Sequence, residues 1–175
     1  MMRDSQQVYI IGFMGSGKST AGKKLAAALG WSFIDLDKRI EEHTGKTITD
    51  LFSEFGEDYF RKVEAETLRS LKDSKNVVVS TGGGTPCYGE NMDYMLKTGL
   101  TIYLKLTPPQ LQSRLSGSKT VRPLIKGLNA GQLLRFIEEK LAIREKWYSC
   151  ADLTIVGVDL DIDLLKSLVI DQTNA

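Results

Sequence analysis

The sequence is poor in residues that support several kinds of chemistry and cross-linking. It contains 1 histidine, 2 cysteines and 4 prolines in 175 residues. Because His43 is the single imidazole, a multi-histidine metal site is excluded, and so is any Ser-His-Asp triad that does not include His43. Cys87 and Cys150 are too few for a disulfide framework or a cysteine-rich zinc site. Two cysteines fit a reducing compartment, and we expect the cytoplasm.

The sequence also lacks an excess of one charge and a long apolar run. Its 23 Lys and Arg residues balance 22 Asp and Glu residues, giving a formal net charge of +1. This balance argues against nonspecific binding of nucleic acid or anionic lipid. The apolar stretch 8–14 is too short to cross a bilayer and is interrupted by Gly12. We expect a monomer with a single domain over residues 1–175, and neither nucleic acid nor membrane as a partner.

Short apolar runs alternate with segments of helical spacing. The runs predict strands at 8–11, 31–34, 77–80, 100–106 and 153–156. The helical spacing predicts helices at 18–29, 38–43, 48–72 with breaks near Gly45 and Gly56, 90–97, 109–115, 131–148 and 160–170. This alternation predicts an α/β fold with a mainly parallel sheet and helices on both faces.

The most specific motif is Gly-Phe-Met-Gly-Ser-Gly-Lys-Ser at 12–19, between the first predicted strand and helix. It matches G-x-x-x-x-G-K-[ST], in which glycines let backbone amides surround a phosphate at a helix N-terminus. Lys18 would contact the β- and γ-phosphates, and the Ser19 hydroxyl would bind Mg²⁺. The alternative is a tight glycine turn with a surface lysine. The predicted nucleotide site comprises Gly15, Ser16, Gly17, Lys18, Ser19 and Thr20.

Two carboxylates follow the second predicted strand, at the sheet edge where ligands bind in parallel sheets. Asp35 and Asp37 are two residues apart, so in an extended chain they would face the same way. One could hold Mg²⁺ through water while the other accepts the proton of a substrate hydroxyl. The alternative is that Asp37 caps a helix beginning at Lys38.

Two arginines and a glycine triplet are further candidates for binding an anion. Arg144 lies within an apolar helical stripe, so its inward side chain needs either a structural carboxylate or a bound carboxylate or phosphate. Arg61 presents the same choice, with a solvated side chain as the alternative. The triplet 82–84 follows the third strand, where its amides would approach a ligand closely or form a plain flexible turn.

The segment 116–129 fits neither a helix nor a strand pattern. It contains two glycines, a proline and three cations, including Arg122. Such a segment is either a disordered surface loop or a mobile lid over a ligand. The strings typical of signalling GTPases, Asp-x-x-Gly after a strand and Asn-Lys-x-Asp, are absent. A kinase that closes over a small acceptor is therefore favoured.

The ordered set of motifs resembles the shikimate kinase family, within the nucleoside monophosphate kinase-like branch of P-loop proteins. The resemblance covers nearly the whole chain and is carried by 12–19, 33–37, Phe60-Arg61 before Val63-Glu64, 82–84, 120–124, and Arg144 four residues before Tyr148. It implies a five-stranded parallel sheet of order 2-3-1-4-5 with a mobile lid at about 116–129. The acceptor-binding helices would span about 36–72. Glu145-Lys146-Trp147 stands where family members often have another basic residue or a proline.

The resemblance also implies an activity, the transfer of the γ-phosphoryl group of MgATP to the 3-hydroxyl of shikimate. Catalysis would depend on Asp37, Lys18 and Arg122. The two arginines Arg61 and Arg144 would bind the shikimate carboxylate, with Gly82, Gly83 and Gly84 beside them. Asp35 would support Mg²⁺ through water, and Arg114 would stack on adenine. The alternatives are a gluconate kinase-like enzyme and a nucleotide-dependent switch without an acceptor.

Overall fold

The computed structural model describes residues 6–174 and is built on one parallel sheet. Its strands lie in the order β2-β3-β1-β4-β5, and each neighbouring pair is parallel. The strands are β1 (Gln7–Ile11), β2 (Ser32–Asp35), β3 (Val77–Ser80), β4 (Leu100–Lys105) and β5 (Leu153–Val156). The predicted α/β class and the strand order are confirmed.

Seven α-helices connect or flank the strands within the described part of the chain. They are α1 (Lys18–Leu29), α2 (Leu36–Thr44), α3 (Ile48–Ser70), α4 (Asn91–Thr98), α5 (Pro108–Ser116), α6 (Ala130–Tyr148) and α7 (Ile162–Asn174). Each corresponds to a predicted helix, with ends shifted by up to four residues. Two short 3₁₀ turns, Thr85–Cys87 and Pro123–Ile125, were not predicted because three residues are too few to show a periodic pattern.

Between residues 6 and 174, the helices are all too short or too polar to cross a membrane.

The central strand β1 is buried on both faces of the sheet, which explains its apolar run from Val8 to Ile11. Tyr9 and Ile11 face a core layer that includes residues of α2, α3 and α6. Val8 and Ile10 face the opposite layer, which contains residues of α1 and α7. The carboxyl end of β1 therefore lies in the middle of the molecule, where the loops after all five parallel strands reach the same edge.

A kink divides α3 at Gly56, close to the predicted break. Gly56 has φ 83° and ψ 174°, a backbone conformation that residues with a side chain rarely adopt. A Cβ at this position would meet no atom within 4 Å, so the backbone angle and not a lack of space favours glycine. The kink sets the direction of the second half of α3, which carries Arg61 and Glu64.

Candidate functional site

The glycine-rich loop connects β1 to α1, as the motif predicted. Gly12, Gly15 and Gly17 have φ values of 149°, 79° and 89°, which glycine adopts without strain. The Nζ of the buried Lys18 donates to the carbonyl oxygen of Phe13 at 2.9 Å, so the lysine folds back over the loop. The Ser16 hydroxyl is buried and has no hydrogen-bond partner among the described residues. A buried hydroxyl in this state is expected where a bound anion completes the loop.

Lys18 lies among charges that are distant in the sequence. Burial lowers the pKa of its ammonium group to about 8, while the nearby carboxylate of Asp37 opposes the shift. The charges of Arg122 and Arg144 lower this pKa further. The fold thus brings the loop lysine, the predicted acceptor carboxylate and two predicted arginines within electrostatic range of one another.

Asp35 caps α2 and also contacts the glycine-rich loop. Its Oδ1 accepts a hydrogen bond from the backbone N–H of Lys38 at 3.2 Å, and its Oδ2 accepts one from the Ser19 hydroxyl at 3.0 Å. The alternative that Asp37 is the helix cap is wrong, because α2 begins at Leu36 and Asp37 lies in its first turn. The expectation that both carboxylates belong to an extended segment is wrong for the same reason.

Asp37 is half-buried and lies beside other carboxylates. Burial raises the pKa of its carboxyl group to about 6, and the negative charges of Glu64 and Asp35 raise it as well. Lys18 acts in the opposite direction. The carboxyl group of Asp37 is therefore ionised at neutral pH, and its pKa is close enough to neutrality for the group to accept a proton.

The glycine triplet gives three charged side chains close access to the backbone. A Cβ at Gly82 would lie 3.1 Å from an Asp37 carboxylate oxygen, and one at Gly83 would lie 3.3 Å from Nη1 of Arg144. A Cβ at Gly84 would lie 2.7 Å from Nη2 of Arg61. None of the three glycines has a positive φ, so close approach explains them better than a flexible turn does.

Arg61 is held by carboxylates, and its side chain is only 15% exposed, which contradicts a solvated arginine. Nη1 donates to Glu64 at 3.0 Å, and Nε and Nη2 lie 3.4 Å from one oxygen of Glu57. Glu64 is 1% exposed and also accepts a hydrogen bond from the Thr85 hydroxyl at 2.9 Å. Sequence reasoning missed Glu64 as a partner, although its i,i+3 spacing from Arg61 was an available signal. It also missed Thr85, because that contact depends on how the 3₁₀ turn after β3 packs on α3.

Arg144 lacks such a partner. No carboxylate of residues 6–174 lies within 4.0 Å of its guanidinium nitrogens, although the side chain is half-buried. Its guanidinium carbon lies 5.5 Å from the centre of the Phe13 ring. Of the two predicted partners for this arginine, the structural carboxylate is therefore not found, and a bound anion is favoured.

The unusual segment before Tyr148 has a clear structural role. Glu145 accepts hydrogen bonds from the Tyr103 hydroxyl and the Lys105 ammonium of β4, both at 2.8 Å. The Tyr148 hydroxyl donates to the carbonyl oxygen of Gly83 at 2.5 Å. These contacts attach the end of α6 to the sheet and to the glycine triplet, and so fix the backbone that carries Arg144.

Two cavities adjoin the glycine-rich loop, and every predicted site residue lines one or both. The larger, of about 760 Å³, is lined by Asp37, Arg61, Gly82–Gly84, Arg122 and Arg144, together with Gly15, Lys18, Ser19 and Asp35. The smaller, of about 540 Å³, is lined by Ser16, Gly17, Thr20 and Arg114 and by the segment 157–162 after β5. Sequence reasoning missed that segment, although its place after a strand at the same sheet edge was an available signal.

The predicted lid segment reaches the larger cavity through Arg122. Its Nε is buried and has no hydrogen-bond partner among the described residues. Val121 and Leu124 beside it are 74% and 65% exposed. Val121 and Leu124 also line the larger cavity, so the segment presents both a cation and exposed apolar side chains to it.

The fold and the site define a P-loop kinase. The model of the shikimate kinase family matches residues 14–169. The shikimate kinase of Parabacteroides distasonis is 41% identical over 170 residues, covering 97% of this chain and 96% of the relative. The chain belongs to the shikimate kinase family.

Solved structures agree with this assignment. A shikimate kinase from Bacteroides thetaiotaomicron has a TM-score of 0.89 at 36% identity, covering 97% of this chain and 99% of the other. A shikimate kinase from Acinetobacter baumannii in complex with shikimate has a TM-score of 0.82 at 32% identity, covering 98% and 94%.

The raised pKa of Asp37 predicts that its ionised form opposes folding. The folded pKa of about 6 exceeds the ordinary 3.8, so the folded protein loses stability as pH rises through this window. The difference between these two pKa values limits the stability lost in this way to roughly 3 kcal/mol at pH 7.5. Asp37→Asn should therefore raise the free energy of unfolding at pH 7.5, and the increase at pH 5 should be roughly half as large. Urea denaturation at the two pH values measures both increases.

The exposed Asp58 on α3 provides the control for this measurement. Asp58→Asn should leave the stability nearly unchanged at both pH values. Equal effects of the two substitutions at pH 7.5 would contradict the electrostatic cost assigned to Asp37.

Proposed function

We propose that this protein transfers the γ-phosphoryl group of ATP to the 3-hydroxyl of shikimate, giving shikimate 3-phosphate and ADP. This reaction belongs to chorismate and aromatic amino acid biosynthesis. The observation that carries the proposal is the meeting of Asp37, Arg61 and Arg144 at the glycine triplet, in a chain of the shikimate kinase family. The similar structure that contains shikimate supports this choice of acceptor.

The acceptor would bind in the larger cavity. Its carboxylate would contact Arg61 and Arg144, whose guanidinium groups suit planar anions. Asp37 would face the hydroxyl that is phosphorylated, and Gly82–Gly84 would leave room for the acceptor ring. The two arginines differ in an informative way. Arg61 is held by Glu64, whereas no carboxylate of the described residues lies within 4.0 Å of the Arg144 guanidinium nitrogens.

The nucleotide would bind along the glycine-rich loop and in the smaller cavity. The backbone amides of Gly15, Ser16 and Gly17, with Lys18, would hold the phosphates. Thr20 and Arg114 line both cavities, and we propose that they would lie between the phosphates and the base. We propose that Arg114 would stack on the adenine.

The residues present also fit a magnesium ion. The Ser19 hydroxyl and the Asp35 carboxylate lie 3.0 Å apart beside the loop. Mg²⁺ typically takes one or two protein ligands and completes its shell with water and substrate phosphates. We propose that Ser19 would hold the ion directly and Asp35 through water. When bound, the ion would neutralise phosphate charge.

The proposed chemistry needs alignment and charge neutralisation more than strong proton abstraction, since phosphoryl transfer passes through a loose transition state. Asp37 would orient the acceptor hydroxyl and accept its proton. Lys18 and Arg122 would balance negative charge on the transferring group. The segment 116–129 would act as a lid that excludes water, which otherwise would hydrolyse ATP.

We propose the cytoplasm as the compartment, because the reaction consumes ATP and Cys87 and Cys150 form no disulfide.

An ADP-release assay coupled to NADH oxidation tests the proposed function. It would be run with shikimate, with gluconate and without an acceptor. We expect ADP release to depend on shikimate, and ³¹P NMR to show the product phosphate on the 3-hydroxyl. Stimulation by gluconate instead would indicate a gluconate kinase-like enzyme, and release that ignores both acceptors would indicate a nucleotide-dependent switch.

Replacement of Asp37 tests the proposed proton acceptor. Asp37→Asn should lower kcat by roughly 10²- to 10⁴-fold with little effect on MgATP affinity, as expected for a positioned acid–base group. In the unmodified enzyme, kcat/KM should fall below pH 6 as Asp37 becomes protonated, and above pH 8 as Lys18 loses its charge. A near-normal kcat for Asp37→Asn would exclude Asp37 from catalysis.

Replacement of Arg144 tests the acceptor site. Arg144→Ala removes a charged hydrogen-bond donor and should raise the KM for shikimate by roughly 10- to 100-fold, with the KM for ATP within twofold. Arg135→Ala, at an exposed position of the same helix, is the matched control and should change neither constant. Arg144→Lys keeps the charge without the planar fork and should give an intermediate KM. Equal KM values for the alanine variants of Arg144 and Arg135 would contradict this role.

A further inference from the structure

The guanidinium group of Arg61 is restrained on three sides. Glu64 accepts from Nη1, and Glu57 lies against Nε and Nη2. The third restraint is the ring of Tyr88, whose centre lies 3.8 Å from the guanidinium carbon. This distance indicates direct stacking of the planar cation on the aromatic face.

Tyr88 contacts both members of the Arg61–Glu57 pair. Its hydroxyl donates to Glu57 at 2.8 Å, and the accepting oxygen is the same Oε1 that lies against Arg61. This hydrogen bond is the main cause of a lowered pKa of Glu57. Tyr88 follows the 3₁₀ turn Thr85–Cys87, so its position is tied to the loop that carries the glycine triplet.

Glu57 by itself would not hold Arg61 in place. Its side chain is 51% exposed, and exposed ion pairs contribute little because water screens them. A carboxylate at the rim can also draw the arginine outward, away from the cavity. The Tyr88 ring covers one face of the guanidinium group, and the Tyr88 hydroxyl holds the competing carboxylate of Glu57 by a hydrogen bond.

We propose that Tyr88 is a positioning residue for binding of the acceptor carboxylate. Its ring holds the Arg61 guanidinium plane, and its hydroxyl holds Glu57 beside it, so that Arg61 loses little side-chain freedom when the acceptor binds. The inference rests on the proposed function, in which Arg61 contacts the carboxylate of shikimate.

Steady-state kinetics test the effect on the acceptor. Tyr88→Leu should raise the KM for shikimate by roughly 5- to 20-fold, within the range of a cation–π contact, with kcat and the KM for ATP within twofold. Tyr88→Phe keeps the ring and should raise this KM less than Tyr88→Leu does. Tyr59→Leu is the matched control, since Tyr59 is 43% exposed, Tyr88 is 37% exposed, and the Tyr59 ring contacts Phe55 instead. A KM for Tyr88→Leu equal to that of Tyr59→Leu would overturn the proposal, and so would equal values for the Leu and Phe variants of Tyr88.

NMR relaxation of the Arg61 Nε–H group, assigned with Arg61→Lys, tests the positioning without any turnover. We expect a rigid group in the unmodified protein and in Tyr59→Leu, and a mobile group in Tyr88→Leu. An equally rigid group in Tyr88→Leu would overturn the proposal. If shikimate failed to stimulate ADP release, the proposed function would fail, while this measurement would still decide whether Tyr88 positions Arg61.

Discussion

The site depends on the close approach of three charged side chains to the backbone of the glycine triplet. Asp37, Arg61 and Arg144 come from three different helices, and each abuts one residue of the glycine triplet. A Cβ at any of the three positions would lie only 2.7 to 3.3 Å from a nitrogen or oxygen of one of these charged groups. The charged group would then have to shift. The triplet is therefore a shared surface that sets the spacing of the groups around the acceptor cavity.

This arrangement concentrates charge where water is scarce, and the protein carries an electrostatic cost for it. The pKa of Lys18 is lowered to about 8 and that of Asp37 is raised to about 6, in both cases mainly because of burial. Neither residue would be placed this way for stability alone. Groups with pKa values near neutrality are suited to proton handling and phosphate binding, so the cost is consistent with a functional site.

The side chains that carry the charges are supported by contacts with other protein groups. The end of α6 is attached to β4 through Glu145 and to the glycine triplet through Tyr148. Arg61 on α3 is oriented by Glu64, which the Thr85 hydroxyl holds in turn. Such support restricts the two arginines to defined orientations before any ligand binds.

Local patterns in the sequence determined the strands, the helices and the glycine-rich loop, because each depends on periodicity or on backbone angles of nearby residues. The pattern around Arg144 also indicated correctly that this side chain faces inward. The helical spacing of Arg61 from Glu57 and Glu64 is local and was present in the sequence. The contact of Asp35 with the glycine-rich loop and that of Glu64 with the turn after β3 were decided only by the tertiary structure. They join residues far apart in the chain, Ser19 with Asp35 and Glu64 with Thr85, and no local spacing encodes which side chains meet when the sheet and helices pack.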